Sequence, residues 1–266
     1  MSRHTSTTQD GATPLLTLDE VAIRFGGITA LDGVTFDVLP GQILGLIGPN
    51  GAGKTTLFNC ITRIYQPTSG RITWRGDDLL GLRPHALASA GIARTFQNLA
   101  LFGDMTVFDN TMAGGTSYAR VSAAAGVVGW PTARRVQREL RERAWALIER
   151  LELVDVASQR AAGLPFGTLK RVELARALMA DPKLLLLDEP AGGLTHSEVK
   201  ELGELIVELR DEFGFAALLV EHHMGLVLGI SDHVVALDFG HKIFEGSPAE
   251  VRDNPAVVAA YLGRAA

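Results

Sequence analysis

The segment of this chain best equipped for chemistry is a glycine-rich loop that ends in lysine and threonine. Residues 48–56 read Gly-Pro-Asn-Gly-Ala-Gly-Lys-Thr-Thr, after an apolar run from Ile43 to Ile47 and before a helical pattern from Thr55 to Thr62. The pattern G-x-x-x-x-G-K-T between a strand and a helix is typical of a phosphate-binding loop. Its glycines let successive backbone amides turn inward, and the helix adds the positive end of its dipole.

This loop predicts a nucleotide site. We expect Lys54 to reach the β- and γ-phosphates and Thr55 to bind Mg²⁺ through its hydroxyl. The predicted nucleotide-binding residues are Gly48, Pro49, Asn50, Gly51, Ala52, Gly53, Lys54, Thr55 and Thr56. The loop alone does not separate a GTPase, a kinase, a helicase and a transporter ATPase, all of which use it.

Two carboxylates and a histidine follow later apolar runs. The leucine run 184–187 leads into Asp188 and Glu189, where open α/β sheets place their ligands. We predict that Asp188 orients Mg²⁺ and that Glu189 accepts a proton from the water that attacks the γ-phosphate. His222 follows the run from Phe215 to Val220 and is predicted to contact the γ-phosphate. No guanine-reading Asn-Lys-x-Asp segment is present, which disfavours a GTPase.

Composition excludes several other classes. The single cysteine, Cys60, rules out a disulfide framework and any multi-cysteine metal site. The net charge of -5 disfavours a nucleic-acid binder, because Lys and Arg supply most of the affinity for phosphate backbones. The mean hydropathy of +0.17 is high, yet the most apolar stretch, from Gly214 to Ile230, is interrupted by a glutamate and two histidines. No membrane span is therefore expected, and the apolar surplus is assigned to a core.

The elements that must position these residues alternate between strand and helix patterns. Short continuous apolar runs predict buried parallel strands, and runs with helical spacing separate them. Residues 15–38 are predicted as an antiparallel meander, and residues 85–165 as an inserted helical subdomain. We predict one α/β domain over residues 15–266, with a mostly parallel sheet of the P-loop NTPase class, behind a disordered tail at residues 1–14.

Taken together, these motifs resemble the ATP-binding subunit of ABC transporters. The phosphate loop comes first, and then Gln97 in Arg-Thr-Phe-Gln, Leu-Pro-Phe-Gly-Thr at 164–168, Asp188-Glu189-Pro190 and Glu221-His222. The resemblance is closest to the branched-chain amino acid importer ATPases, on Arg24 to Gly27, Leu101-Phe102, Met105 to Val107, Asn254-Pro255 and Tyr261 to Gly263.

The resemblance implies roles that spacing alone does not. Phe25 matches the aromatic residue that stacks on adenine, although a core strand residue is an equally good interpretation. Gln97 matches the glutamine that contacts Mg²⁺ or the attacking water and senses the membrane subunit. Residues 164–168 match the signature segment, whose Gly167 and Thr168 would cap the nucleotide held by the opposite subunit. A helix predicted to start near Thr168 would offer free amides and a dipole for that role.

Some positions depart from the family pattern. The signature usually reads Leu-Ser-Gly-Gly-Gln, whereas Pro165, Phe166 and Thr168 stand here. Thr195 follows Leu194 where Asp or Asn is usual, and His223 stands where Asp commonly follows the histidine. These changes fall mainly on the side of the site that faces the other subunit. We therefore expect normal ATP binding but a less active site where this chain supplies the signature.

The predicted function is Mg²⁺-dependent ATP hydrolysis that drives import of a small solute, with branched-chain or related amino acids favoured by the resemblance. The expected partners are two integral-membrane permease subunits, a second ATPase subunit or another copy of this chain, and indirectly an extracytoplasmic solute-binding protein. The chain would lie peripherally on the cytoplasmic face of the inner membrane. The alternative is a soluble ABC-type ATPase that acts on DNA or ribosomes.

Overall fold

A computed structural model describes residues 12–96, 99–115 and 131–262 of the chain. The strands are β1 (Leu16–Phe25), β2 (Ile28–Val38), β3 (Ile43–Ile47), β4 (Ser69–Trp74), β5 (Asp77–Asp78), β6 (Ile92–Arg94), β7 (Leu184–Asp188), β8 (Ala216–Val220), β9 (His233–Asp238) and β10 (His241–Gly246). The helices are α1 (Lys54–Ile61), α2 (Leu87–Ala90), α3 (Val107–Ala113), α4 (Pro131–Arg150), α5 (Phe166–Leu178), α6 (His196–Phe213), α7 (Met224–Ile230), α8 (Pro248–Asp253) and α9 (Pro255–Leu262).

The larger sheet positions the chemistry. Its strand order is β10-β9-β3-β8-β7-β6, and every neighbouring pair is parallel except β9 with β10. Val220 is in register with both Leu46 and Asp188, so β3, β7 and β8 end at the same level. The segments that leave these three strands therefore meet at one edge of the sheet, as is usual for ligand sites in open α/β sheets.

The smaller sheet is antiparallel, with the order β2-β1-β4-β5. Strands β1 and β2 form a hairpin that turns at Gly26 and Gly27, with Phe25 paired with Ile28. The predicted meander is therefore present, although β1 also pairs with β4, a strand that lies after the phosphate loop. This long-range pairing was not evident from local sequence.

The core consists of two clusters, one on each face of the larger sheet, because successive side chains of the buried strands point to opposite faces. In β7, Leu184 and Leu186 face the smaller sheet and α1, whereas Leu185 and Leu187 face the helices on the other side. Successive side chains of a strand point to opposite faces, so a continuous leucine run serves both clusters. Cys60 of α1 is fully buried between the sheets, where burial raises the pKa of its thiol to about 11. Cys60 therefore serves as a small residue of the core.

The fold class predicted from the sequence is confirmed, with local corrections. The predicted helical stretch at 85–165 contains β6, which is an edge strand of the larger sheet. Three residues are too few to show a strand pattern in the sequence. The strand expected to begin at Phe215 begins one residue later, at Ala216. Residues 1–11 of the predicted tail lie outside the described residues. Among the residues that the structure describes, no helix combines the length and apolar character needed to cross a bilayer.

Candidate functional site

The phosphate loop joins β3 directly to α1, which begins at Lys54, one residue before the predicted helical pattern. Gly48 and Gly53 both have positive φ angles, of 150° and 107°. A Cβ at Gly48 would lie 2.3 Å from the carbonyl oxygen of Leu237, and one at Gly53 would lie 2.7 Å from that of Ala30. Glycine is therefore required at both positions by close backbone approach as well as by conformation.

Lys54 points back into its own loop. Its buried Nζ donates hydrogen bonds to the carbonyl oxygens of Gly48 at 2.5 Å and Pro49 at 3.0 Å. The ammonium group therefore lies inside the loop, next to the N-terminus of α1. This combination of a positive charge with the N-terminus of a helix suits a phosphate group. Thr55 follows in the first turn of α1 and is exposed.

Asp188 ends β7 and is almost fully buried. Its Oδ2 accepts a hydrogen bond of 2.6 Å from Nη2 of Arg94, which ends the neighbouring strand β6. Arg94 also donates to Asn59 Oδ1 and Thr62 Oγ1 at the far end of α1. Arg94 was not predicted from the sequence, because only the pairing of β6 with β7 brings its side chain to Asp188.

Glu189 and His222 are in direct contact. His222 Nε2 lies 2.8 Å from Glu189 Oε1, although the residues leave different strands. Glu189 has a positive φ of 49°, which is unusual for a residue with a side chain, and its N–H donates to Val220 O at 2.9 Å. A carboxylate and an imidazole in hydrogen-bonding contact can hold and transfer a proton between them.

Glu221 connects the two loops that carry Glu189 and His222. Its buried carboxylate accepts hydrogen bonds from the backbone N–H groups of Ala191, His222 and His223 at 2.6, 3.0 and 3.2 Å. The carboxylate therefore fastens the loop after Glu189 to the loop that carries His222. No role was predicted for Glu221, although a glutamate at the end of a buried strand is a usable signal.

The residues near the loop fit a magnesium ion. Magnesium prefers oxygen ligands and is usually held by one or two carboxylates together with substrate phosphates. The Asp188 carboxylate and the exposed Thr55 hydroxyl are donors of that kind. Among the described residues there is no cluster of three or more His, Cys, Asp and Glu side chains that could hold a metal by themselves. Phosphate oxygens would have to complete the ligand set.

Phe25 lies at the end of β1 and is 45% exposed, so its interpretation as a core residue is wrong. Its ring meets that of Tyr65 edge to face, with the centroids 5.0 Å apart. Tyr65 was not singled out from the sequence. An exposed aromatic pair is a suitable surface for a flat heterocycle, and stacking of adenine on Phe25 stays a prediction.

The signature segment forms the N-terminus of α5. The helix begins at Phe166, two residues earlier than expected, so Gly167 and Thr168 lie in its first turn. Pro165 occupies the N-cap position and no side chain caps the helix, so its first amides are available to a ligand. A cavity of about 330 Å³ next to Gly167 and Thr168 separates α5 from α6. None of its lining residues belongs to the phosphate loop.

The departure at Thr195 is compensated locally. Thr195 is the N-cap of α6, and it forms a capping box with Glu198. Threonine can replace Asn or Asp in this structural role because its hydroxyl accepts the same backbone N–H. His223 packs its ring against that of His196, with the centroids 5.4 Å apart.

Gln97 lies outside the described residues, but the structure describes what holds the segment on either side of it. Glu173 Oε1 accepts a 2.8 Å hydrogen bond from Phe96 N. Arg176 donates to Ala100 O at 2.6 Å and Leu99 O at 3.2 Å. Both side chains belong to α5, and burial raises the pKa of Glu173 while the Phe96 N–H lowers it in part. Helix α5 therefore binds the backbone on both sides of the predicted glutamine.

The phosphate loop, with two carboxylates and a histidine at the ends of neighbouring parallel strands, defines a P-loop nucleoside triphosphatase. Comparison with known proteins narrows this class. A family profile described as ABC transporter matches residues 31–192, and one described as Branched-chain amino acid ATP-binding cassette transporter matches residues 241–266. The chain belongs to the ABC transporter family as one of its ATP-binding, ATP-hydrolysing subunits.

Similar proteins cover nearly the whole chain. LivG of Escherichia coli K12, a high-affinity branched-chain amino acid transport ATP-binding protein, is 43% identical over 95% of this chain and 99% of its own length. A probable LivG of Archaeoglobus fulgidus is 35% identical over 90% of this chain and 91% of its own length. A solved ATP-binding cassette of an ABC transporter in its ADP conformation has a TM-score of 0.79 at 30% identity, covering 95% of this chain and 100% of that one.

Proposed function

We propose that this ATPase subunit energises import of branched-chain or chemically related amino acids through partner membrane subunits. The observation that carries the proposal is the 43% identity to LivG over nearly the full length of both chains. The match of residues 241–266 to a profile of the branched-chain group supports it independently, because this part lies outside the match to the general transporter profile.

We propose that Lys54 binds the β- and γ-phosphates with the backbone amides of residues 48–56. Its ammonium already lies inside the loop, so phosphate oxygens would replace the carbonyls of Gly48 and Pro49 as its partners. Thr55, Asp188 and Gln97 are assigned to Mg²⁺, which when bound neutralises phosphate charge and aligns the oxygens for in-line attack. Arg94 holds the orientation of the Asp188 carboxylate through their 2.6 Å contact.

Hydrolysis is assigned to Glu189 and His222. Glu189 would take a proton from the attacking water. Its contact with Nε2 of His222 would hold the carboxylate in the orientation needed for that transfer. About half of the His222 side chain is exposed, and the imidazole would donate to the γ-phosphate as negative charge develops there. Phe25 would stack on adenine.

The assembly we propose is a head-to-tail pair of ATPase subunits. The uncapped N-terminus of α5, with Gly167 and Thr168, would bind the γ-phosphate held by the opposite subunit. Two integral-membrane permease subunits would dock on the apolar surface around Phe102 and Met105, which are 52% and 42% exposed. This places the subunit on the cytoplasmic face of the inner membrane, with a solute-binding protein acting on the outer side.

The test is to purify the full chain from membranes and to identify the proteins that co-purify with it. Two permease chains and a solute-binding protein that binds leucine, isoleucine or valine are expected, together with ATP hydrolysis that this loaded binding protein stimulates. A binding protein selective for urea, amides or another solute would replace the substrate class and leave the ATPase assignment intact. Fractionation with nucleic acid or ribosomes in the absence of permeases would contradict the transport function.

A further inference from the structure

The phosphate loop receives a contact from the opposite end of the chain. The backbone N–H of Gly48, the first residue of the loop, donates a 2.8 Å hydrogen bond to the hydroxyl of Tyr261. The two residues are 213 positions apart in sequence. Tyr261 belongs to α9, within the C-terminal region that matches the branched-chain profile.

Helix α9, which carries Tyr261, is capped and packed against the core. Asn254 caps the helix, with its Oδ1 accepting from Ala256 N at 2.9 Å and Val257 N at 3.2 Å. Val257 is 4% exposed and lies in the larger core cluster, so the helix is packed against the body of the protein. The Tyr261 ring packs on the same cluster. The packing of α9 therefore positions the Tyr261 hydroxyl at the N–H of Gly48.

A second C-terminal element holds the same loop. Gly240, in the turn between β9 and β10, donates its N–H to Ala52 O at 3.0 Å and accepts from Asp32 N at 2.9 Å. The loop is thus fastened near its start by α9 and in its middle by the β9–β10 turn. Sequence after residue 230 contributes no predicted site residue, yet it sets the position of two loop residues.

The Tyr261 hydroxyl suits its position. Burial raises the pKa of Tyr261, so the phenol stays protonated and neutral around pH 7 and does not add a negative charge beside a phosphate site. Gly48 is the point where the chain leaves β3, whose backbone the sheet already holds. Fixing its N–H fixes the direction in which the following amides turn.

We propose that Tyr261 is a positioning residue of the nucleotide site, through which the C-terminal helix holds the phosphate loop in its binding conformation before ATP arrives. A preformed loop loses less conformational freedom when the phosphates bind, so affinity is higher than for a loose loop. The inference rests on the proposed role of residues 48–56 in phosphate binding.

The deciding experiment compares Tyr261→Phe with Val257→Ala in the full chain, with Lys54→Ala as the test of the loop itself. Tyr261→Phe keeps the packed ring and removes only the acceptor, whereas Val257→Ala keeps the acceptor and removes part of a buried side chain of the same helix. The readouts are the Kd for a fluorescent ADP, the KM and kcat for ATP, the Tm, and amide hydrogen exchange over residues 48–53.

Tyr261→Phe is expected to raise Kd and KM by about two- to tenfold, the fold-change of one lost hydrogen bond, with kcat retained. Exchange over residues 48–53 should rise. Val257→Ala should lower the Tm more than Tyr261→Phe does, with less effect on Kd. Wild-type Kd and exchange in Tyr261→Phe, or a Kd that rises only in proportion to the loss of Tm across the two variants, would overturn the positioning role. Undiminished nucleotide binding by Lys54→Ala would overturn the loop assignment and this proposal with it.

Discussion

The two regions that the site requires are built differently. At the edge of the larger sheet, Glu189 and His222 touch, and Asp188 pairs with Arg94 across two strands. At the start of α5, by contrast, Gly167 and Thr168 face a cavity that no residue of the phosphate loop lines. In the part of the chain that the structure describes, the first region brings its predicted groups together, whereas the second lies beside a cavity that is separate from the phosphate loop.

This difference suggests a division between binding and turnover. The sheet-edge region has the charges and amides to bind a nucleotide by itself, so affinity should depend on residues of one chain. In the proposed assembly, the uncapped amides of the α5 region act on a ligand that another subunit brings. Substitutions in the two regions should therefore change different measurements.

The largest expected effect is on turnover. Glu189→Gln should lower the rate of ATP hydrolysis by about 100- to 10,000-fold, because the amide cannot accept the proton of water. Nucleotide affinity should stay near that of the native protein. Steady-state hydrolysis and equilibrium binding of a fluorescent ATP measure the two effects, with Glu142→Gln on the exposed face of α4 as the control. Undiminished turnover would refute the assignment of the base.

The next effect is on binding. Lys54→Ala should weaken ATP binding by about 10- to 100-fold, since charge-assisted hydrogen bonds contribute about 1.5–3 kcal/mol. Lys200→Ala removes an exposed lysine of α6 and should bind ATP normally. The measurement is titration of the isolated chain, because this region is expected to need no partner. Equal affinities for the two variants would show that the loop lysine does not contact phosphate.

Gly167→Ala tests the α5 region separately from the sheet-edge region. Alanine favours a helix over glycine, so the free energy of unfolding should be unchanged or higher by up to about 1 kcal/mol. The new methyl group would meet Glu198 Oε1 at 3.2 Å and also narrow the approach to the helix N-terminus. Hydrolysis by the assembled transporter should fall about 10- to 100-fold through misplacement of the ligand. ATP affinity of the isolated chain should not change, and a fall there would contradict the division.

The smallest effect concerns the departures from the family pattern. Thr168→Gln restores the usual residue and should raise hydrolysis by the assembled transporter about two- to tenfold, the effect of one added hydrogen bond. The sharper measurement compares Glu189→Gln with removal of the catalytic glutamate of the opposite subunit in a heteromeric assembly. Unequal losses are expected if the two sites differ in activity. Equal losses would remove the asymmetry hypothesis.

Local sequence was sufficient for the elements that carry their own signal. The strand Ile43–Ile47 and the helix that begins at Lys54 were predicted almost residue by residue, because an apolar run, a glycine loop and a helical pattern follow one another. The α5 helix begins two residues earlier than expected, since proline is excluded from a helix interior but tolerated at its start, where Pro165 is the N-cap. Strand β6 was missed, because three residues contain no period that can be recognised.

The amino-acid sequence by itself determined which residues could bind phosphate and hydrolyse it, because the phosphate loop and the strand-end carboxylates are contiguous motifs. It did not determine their partners. Arg94 reaches Asp188, and Tyr261 reaches Gly48, across separations of 94 and 213 residues. Only the tertiary structure decides such contacts, because strand order and helix docking set which distant side chains meet, and no local pattern encodes that order.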